Sequence, residues 1–441
     1  TLPNTIYEHE HPGTFTLDGD HYLPNVVHRE GAQPVRTVEH VKAAEFGPFT
    51  SYDDDGRRVS FIGDSHPVFN GSVVKAIASA SRSYPHVMAA LARLPATGTH
   101  ESDRIAFQRN MSELMNVHID EVRTDQPGII QIRVHAPLAA RRFQPGQFFR
   151  LQTFETRSPL VEGTRLQIPL QTVSGAGVEG DYVRLMLLPW GANARIAARL
   201  KPGDPAVLMG PTGIPTDVAP GQTVLVVAGS WGAAVMLGLG PRLRANGNRV
   251  LYFAAYPNAA SIYCREELEA GADRMIWAIG NGDRVDNLRP DDRWVAGGDV
   301  IAHIEQYGLG EMDGASEVHR LPLEQVDHIL VMGSTNLLRG FQQAMKERLK
   351  GFFRPDIEVT GTVGSPMQCM LKGVCAQCLQ WQIDPETGER TRAVFSCAMQ
   401  DQPLAWIDTD NLADRQGQNR LQEHLTNLWV DHVLQRAPAS D

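Results

Sequence analysis

The chain reads as an α/β protein joined to an antiparallel β-barrel, with a small cysteine-bearing lobe near its end and a partial domain at its start. Three observations predict this. Between residues 116 and 212, short β-runs alternate with Pro-Gly and Lys-Pro-Gly-Asp turns, the punctuation of a small antiparallel barrel. From Thr223 to Tyr256 a hydrophobic strand, a glycine-rich turn, an apolar helix and a second strand form a βαβ unit, which requires parallel pairing. Four of the five cysteines then fall at Cys369, Cys375, Cys378 and Cys397, a C-x5-C-x2-C-x18-C pattern. The expected division is a partial domain over 1–95, a linker over 96–110, a barrel over 111–220, an α/β domain over 221–362, a cysteine lobe over 363–405 and a terminal helix over 406–441.

Composition bounds the function. With 441 residues, 42% hydrophobic and 21% charged, the chain has the length and core of a globular protein of two to four domains. A net charge of −10 argues against a nucleic-acid or anionic-membrane surface. Four clustered cysteines do not make a disulfide framework, so a cytoplasmic location is expected. The polar opening TLPNTIYEHEHPG has no signal-peptide core. The nearly charge-free run from Thr223 to Pro241 approaches bilayer length, but Gly229 and Gly232 split it into a strand and a helix. No transmembrane segment is expected.

In residues 1–95, the strand VSFIG leads to Asp64, a carboxylate placed to accept hydrogen bonds, and Gly71 opens a helix whose N-terminus could face a pyrophosphate. A turn or capping role for Asp64 is the plain alternative. The opening TLPN and the stretch SFIGDSHPVFNGSVVKAIASASRSYPHVMAAL resemble the closing segment of two-dinucleotide flavoproteins of the glutamate-synthase-small-subunit type. That resemblance covers residues 1–94 and lacks the G-x-G-x-x-G start of the fold. It implies that Asp64 contacts a flavin held mostly by an upstream flavoprotein polypeptide.

From Asn116 to Pro403, the order F-x-P-G-Q-F-F-x-L, P-x-x-T, G-x-N-A and M-G-P-T-G resembles the ferredoxin reductase superfamily. The branches it is most similar to are the electron-transfer subunit of dihydroorotate dehydrogenase and the small subunit of NADH-dependent ferredoxin:NADP oxidoreductase. The resemblance implies FAD on the barrel at Pro169, Gln171, Thr172, Gly191 and Asn193. One departure matters: Ile168 stands where the family has a phosphate-binding arginine, so Arg165 or Arg195 is expected to help. A barrel without flavin is the alternative.

Gly229 and Gly232 occupy the place of the family's nicotinamide-dinucleotide turn, with Ser230 for a glycine and a bulky Trp231 between them. Met332-Gly333-Ser334 replaces a Cys-Gly-Pro element beside the nicotinamide. NAD(H) or NADP(H) is therefore the implied donor, and no residue after LYFAAY decides between them. Residues 278–320 read as a surface excursion.

Three of the four clustered cysteines lie within ten residues around Gly373, a glycine suited to φ > 0. Such a loop suits a [2Fe–2S] cluster or zinc, and unligated thiols are a third reading. The uneven one-two-one spread favours the cluster, and the resemblance implies it. Cys264, alone in SIYCREELE, reads as a buried thiol. The last segment shows apolar residues at 412, 421, 425, 428, 429, 430, 433 and 434, a docking helix capped by Asp410 or Asn411. Together these imply an electron-transfer subunit or fragment of an NAD(P)H-linked flavo–iron–sulfur oxidoreductase, working with other subunits. The alternatives are a non-catalytic scaffold that keeps only the cluster as an electron wire, and a zinc-stabilised interaction module.

Overall fold

In the computed structural model the chain divides into two units, Thr1–Arg104 and Ile105–Asp441. The structure describes residues 100–312, 320–365, 367, 369 and 373–436 and, before them, residues 12–13, 17–18, 21–22, 25–26, 35–36, 50–54, 57–63, 69 and 71–92.

In the first unit, strands Thr50–Asp54 and Arg57–Phe61 pair antiparallel, and a helix spans Val73–Leu91. Gly63 donates its N–H to Ser79 Oγ at 2.7 Å, tying the chain after the strand to that helix. Gly71 turns the chain toward the helix at φ +82°, in open space. Asp64 lies outside the described residues. Residues 101–110 of the expected linker fall in a helix, Glu101–Met115: Glu101 and Asp103 stand in the first turn, where acidic side chains suit the positive helix end, and Arg104 pairs back to Glu101.

The second unit begins with a six-stranded antiparallel sheet. Its strands are β1 (His118–Arg123), β2 (Ile130–His135), β3 (Phe148–Thr153), β4 (Gln171–Glu179), β5 (Tyr182–Leu187) and β6 (Ala206–Thr212), in the order β6-β3-β4-β5-β2-β1. Bonds from Ile119 N–H to the Asp204 carbonyl and from Ala206 N–H to the Val117 carbonyl bring β1 back to the start of β6 and close the barrel. Alternate residues such as Ile132, Val134, Phe149 and Leu151 fill its interior. Helix α1 (Ala192–Ala197) packs on this core through Ala194 and Ile196.

The second sheet holds β7 (Thr223–Ala228), β8 (Arg249–Tyr256), β9 (Arg274–Ile279), β10 (Arg293–Ala296), β11 (His328–Met332), β12 (Glu358–Thr362) and, beyond a hairpin described below, the short strand Asp401–Pro403. The order is β10-β9-β8-β7-β11-β12 and then Asp401–Pro403, with all pairs parallel except the last. Every residue of β7 is buried because helices cover both faces, which is why it reads as a continuous apolar run. Helix α2 (Trp231–Ala245) follows β7 on one face. Helices α3 (Val300–Gly308) and α4 (Thr335–Lys346) cover the other. Residues 278–320 are thus not only a surface excursion, since they supply the end of β9, the edge strand β10 and helix α3.

The cysteine lobe contributes a hairpin of β13 (Leu379–Ile383) and β14 (Arg390–Phe395). Two helices end the described chain, α5 (Thr409–Gly417) and α6 (Arg420–Arg436), where one was expected. The cap is Asp408, which accepts from the Asn411 N–H at 2.8 Å, rather than Asp410 or Asn411. Val430 and Val433 pack on the barrel core, while Leu421, Leu425, Leu428 and Trp429 stay exposed. Among the described residues no helix is long and apolar enough to cross a membrane.

Candidate functional site

The barrel, the cysteine lobe and α6 meet at a cavity of about 730 Å³. Pro169, Gln171, Gly191 and Asn193 line it from the barrel side, Gln377 from between Cys375 and Cys378, and Glu423 and Asn427 from α6. Four of the five barrel residues expected to hold flavin therefore gather at one cavity. Thr172, the fifth, follows Gln171 on β4. Both side chains carry a buried oxygen, Gln171 Oε1 and Thr172 Oγ1, without a hydrogen-bond partner among the described residues. Buried polar atoms are normally satisfied, so this pair suits a ligand that brings donors. A Cβ on Gly191 would meet nothing within 4 Å, which leaves its backbone open to a bound group.

The two arginines expected to replace the missing phosphate ligand are otherwise engaged. Arg195 donates to the Asn427 side-chain oxygen at 2.8 Å and pairs with Asp431 on α6. Arg165 donates to the Ser158 carbonyl at 3.1 Å. Among the described residues that line the cavity, Glu423 carries the charge, and neither Arg165 nor Arg195 is one of them.

Gly229 and Gly333 follow the C-terminal ends of β7 and β11, the adjacent strands at which the sheet's order reverses. Crevices at such switch points are where open parallel sheets bind ligands. The glycines there also have a packing role. A Cβ on Gly229 would lie 1.7 Å from the Ala255 carbonyl oxygen, and one on Gly232 would lie 2.3 Å from that of Met332. The first reflects close approach of the turn after β7 to β8, the second close approach of α2 to the end of β11. Ser230 enters α2 at φ +47°, and Trp231 lies against Gly364, at the threshold of the cysteine lobe. Ser334 caps α4, with its Oγ accepting from the Leu337 N–H at 3.3 Å.

In the lobe, Gly373 adopts φ +65° as the loop expectation required, and Ala376 also lies in the left-handed region at φ +52°. Cys378 and Cys397 are buried together against Phe148 and Met367, while Cys369 and Cys375 are half-buried. The hydrogen bond between Cys378 and Cys397 draws the Cys378 thiol down to about 6 and pushes Cys397 well up, so the pair gives up its first proton easily and holds the second. Among the described residues no three His, Cys, Asp or Glu side chains are disposed to hold an ion as they stand. The donor types suit an iron–sulfur group all the same: four thiols, two of them buried together, of which Cys378 ionises readily.

Two neighbours fasten the lobe. Gln400 accepts from the Ile214 N–H at 3.1 Å, and Asp401 accepts from Thr216 Oγ1 at 2.7 Å and Thr362 Oγ1 at 2.6 Å. Burial pushes the Asp401 carboxyl above its usual range, against those two hydroxyls. Cys264 is half-buried, and desolvation raises its thiol to about 11.

Sequence reading missed Gln377, Asn427 and the fully buried Arg150 on β3. In FFRLQTF a charge stands between Phe149 and Leu151, and strand alternation alone places it on the face opposite theirs.

A solved NADH-dependent reduced ferredoxin-NADP oxidoreductase, a study of flavin-based electron bifurcation, is similar over 71% of this chain and 97% of that one, with a TM-score of 0.54 and 17% identity. The electron-transfer subunit of dihydroorotate dehydrogenase B (NAD(+)) from Desulforamulus reducens is 31% identical over 174 residues, 39% of this chain and 64% of that protein. The chain has the ferredoxin reductase fold. An uncharacterized protein of Rickettsia prowazekii shares 25% identity over 394 residues, 89% of this chain and 44% of that protein. The chain thus spans roughly half the length of curated relatives it matches. No protein-family model matches it. The 730 Å³ cavity lies on the barrel and the β7–β11 crevice on the parallel α/β domain.

Proposed function

We propose that the chain is the electron-transfer part of an NAD(P)H-linked flavo–iron–sulfur oxidoreductase, with FAD on the barrel, a nicotinamide dinucleotide at the β7–β11 crevice and a [2Fe–2S] cluster on Cys369, Cys375, Cys378 and Cys397. One observation carries the reading. Residues of the barrel's expected flavin elements and Gln377 of the cysteine loop line the same cavity. When bound, flavin supplies the conversion between two-electron hydride transfer and one-electron transfer. The chain's own residues do the rest. Gln171 and Thr172 offer buried acceptors to a ring, Gly191 leaves room for a close backbone approach, and Asn193 and Asn427 offer amides. Buried Phe148 and Met367 keep water from Cys378 and Cys397.

Other oxidoreductase subunits, or an upstream flavoprotein polypeptide, are the proposed electron partners, in the cytoplasm. The test is the visible spectrum of the anaerobically purified chain, followed by NADH and NADPH in turn. Flavin bands over a cluster shoulder, bleached by one nucleotide, are expected. A cluster spectrum without flavin, unmoved by either nucleotide, overturns the reductase in favour of an electron wire. Zinc without acid-labile sulfide overturns both.

A further inference from the structure

The residue after Cys375 holds an unusual conformation. Ala376 lies at φ +52°, in the left-handed region that residues other than glycine rarely enter. Its carbonyl accepts the Leu379 N–H at 3.2 Å, closing a β-turn whose two central residues are Gln377 and Cys378. Gln377 lines the 730 Å³ cavity, and Cys378 is buried beside Cys397. One tight turn therefore carries a wall residue of the flavin cavity and a thiol of the cysteine set. The same Ala376 oxygen accepts a second hydrogen bond, from Arg415 Nη2 on α5. That helix is anchored beyond the turn as well: Gln416 donates to the Gly364 carbonyl at 2.6 Å and accepts from Thr335 Oγ1 of α4 at 2.7 Å.

A residue other than glycine persists at positive φ only where its surroundings hold it there, and such positions gather at functional sites. A guanidinium bond to a carbonyl is charge-assisted, and so stronger than the neutral bond that closes the turn. We propose that Arg415 is a positioning residue for electron transfer: by gripping the Ala376 carbonyl, it fixes the turn that sets Gln377 toward the flavin and Cys378 toward the cluster. This rests on the cofactor reading above. The step it serves moves one electron, oxidising the flavin by one equivalent and reducing one ferric iron to ferrous, with no bond made or broken. Arg415 acts through the backbone of the turn, on an electron that it never carries.

The test uses the full chain, purified anaerobically, with flavin, iron and acid-labile sulfide assayed first. Amide exchange at Leu379 reads the turn, and stopped-flow absorption after NADH or NADPH reads flavin bleaching apart from cluster reduction. Arg415→Met keeps the length of the side chain and loses its donors. It is expected to keep its cofactors and its rate of flavin bleaching, while the Leu379 amide exchanges about tenfold faster or more, the loss of one charge-assisted hydrogen bond. Cluster reduction is expected to slow about tenfold or more, because groups held in place gain orders of magnitude in rate. Arg415→Lys, which keeps a charged donor, is expected to restore both. Gln416→Ala loosens the same helix away from the turn and is expected to match the wild type in both. Arg415→Gln, with a shorter neutral donor, is expected to fall between, and it is read in place of Arg415→Met should that variant not fold by circular dichroism. A loaded Arg415→Met or Arg415→Gln chain whose cluster is reduced at the wild-type rate overturns this inference alone, as does a Gln416→Ala chain slowed as much as Arg415→Met. A wild-type chain without flavin, iron or sulfide, or unmoved by either nucleotide, overturns the cofactor reading and this inference with it.

Discussion

Arg195 Nη2 donates to the Asn427 backbone carbonyl at 3.0 Å and to its side-chain oxygen at 2.8 Å, while the same guanidinium pairs with Asp431. This fastens α6 across the edge of the cavity that Gly191 and Asn193 line. Because the pair with Asp431 is partly exposed, Arg195→Ala is expected to cost only about 1 kcal/mol of stability. Its larger effect falls on the cavity wall, and the variant is expected to lose bound flavin. Thermal melts and flavin per chain, measured together, check both halves.

The glycines separate packing from binding. Gly229→Ala and Gly232→Ala each drive a Cβ into a backbone carbonyl that cannot move aside, and overpacking of this kind costs about 1–3 kcal/mol. Gly191→Ala meets nothing within 4 Å and keeps an ordinary φ of −98°. It is expected to leave stability unchanged and to weaken flavin binding. Urea denaturation of the three variants, beside flavin content, reads the difference.

How much was legible in the sequence follows from these same residues. The βαβ unit was plain because strands buried on both faces read as unbroken apolar runs. The positions of Gly229 and Gly232 were visible too, but their packing against Ala255 and Met332 depends on tertiary register. The cysteine loop was visible through its spacing and Gly373. The last helix was misjudged because its apolar residues form two neighbouring stripes. Only the barrel's position decides that Val430 and Val433 are buried and Leu421 and Leu425 are not. Arg195 was expected to help hold a flavin phosphate, but its partners here are Asn427 and Asp431, 232 and 236 residues away in sequence and so invisible to a local reading. Arg150 escaped notice because β3 was read for its apolar positions alone.

The five cysteines should behave as two classes. Cys378→Ser and Cys397→Ser each remove a buried sulfur from the lobe and are expected to lose iron and the visible spectrum. Cys264→Ser is expected to retain both. With its thiol raised to about 11, Cys264 is roughly 0.1% thiolate at pH 8 and should alkylate slowly. Iron per chain and mass-resolved iodoacetamide labelling check these outcomes.

Asp401 gives the pH dependence. Its buried carboxyl, raised by desolvation, joins Thr216 at the end of the barrel to Thr362 on β12. The folded chain thus keeps this proton to a higher pH than the unfolded chain does. Between the ordinary aspartate value and the raised one, the folded state binds more protons, so this group's contribution to stability falls as the pH rises. Below that window both states are protonated and the contribution is complete. Asp401→Asn cannot ionise, and its carboxamide oxygen can still accept from a threonine hydroxyl. The melting temperature of Asp401→Asn relative to the wild type is expected to climb from pH 4 upward and then level off. A difference that stays flat across that range would show that Asp401 does not hold its proton in the fold.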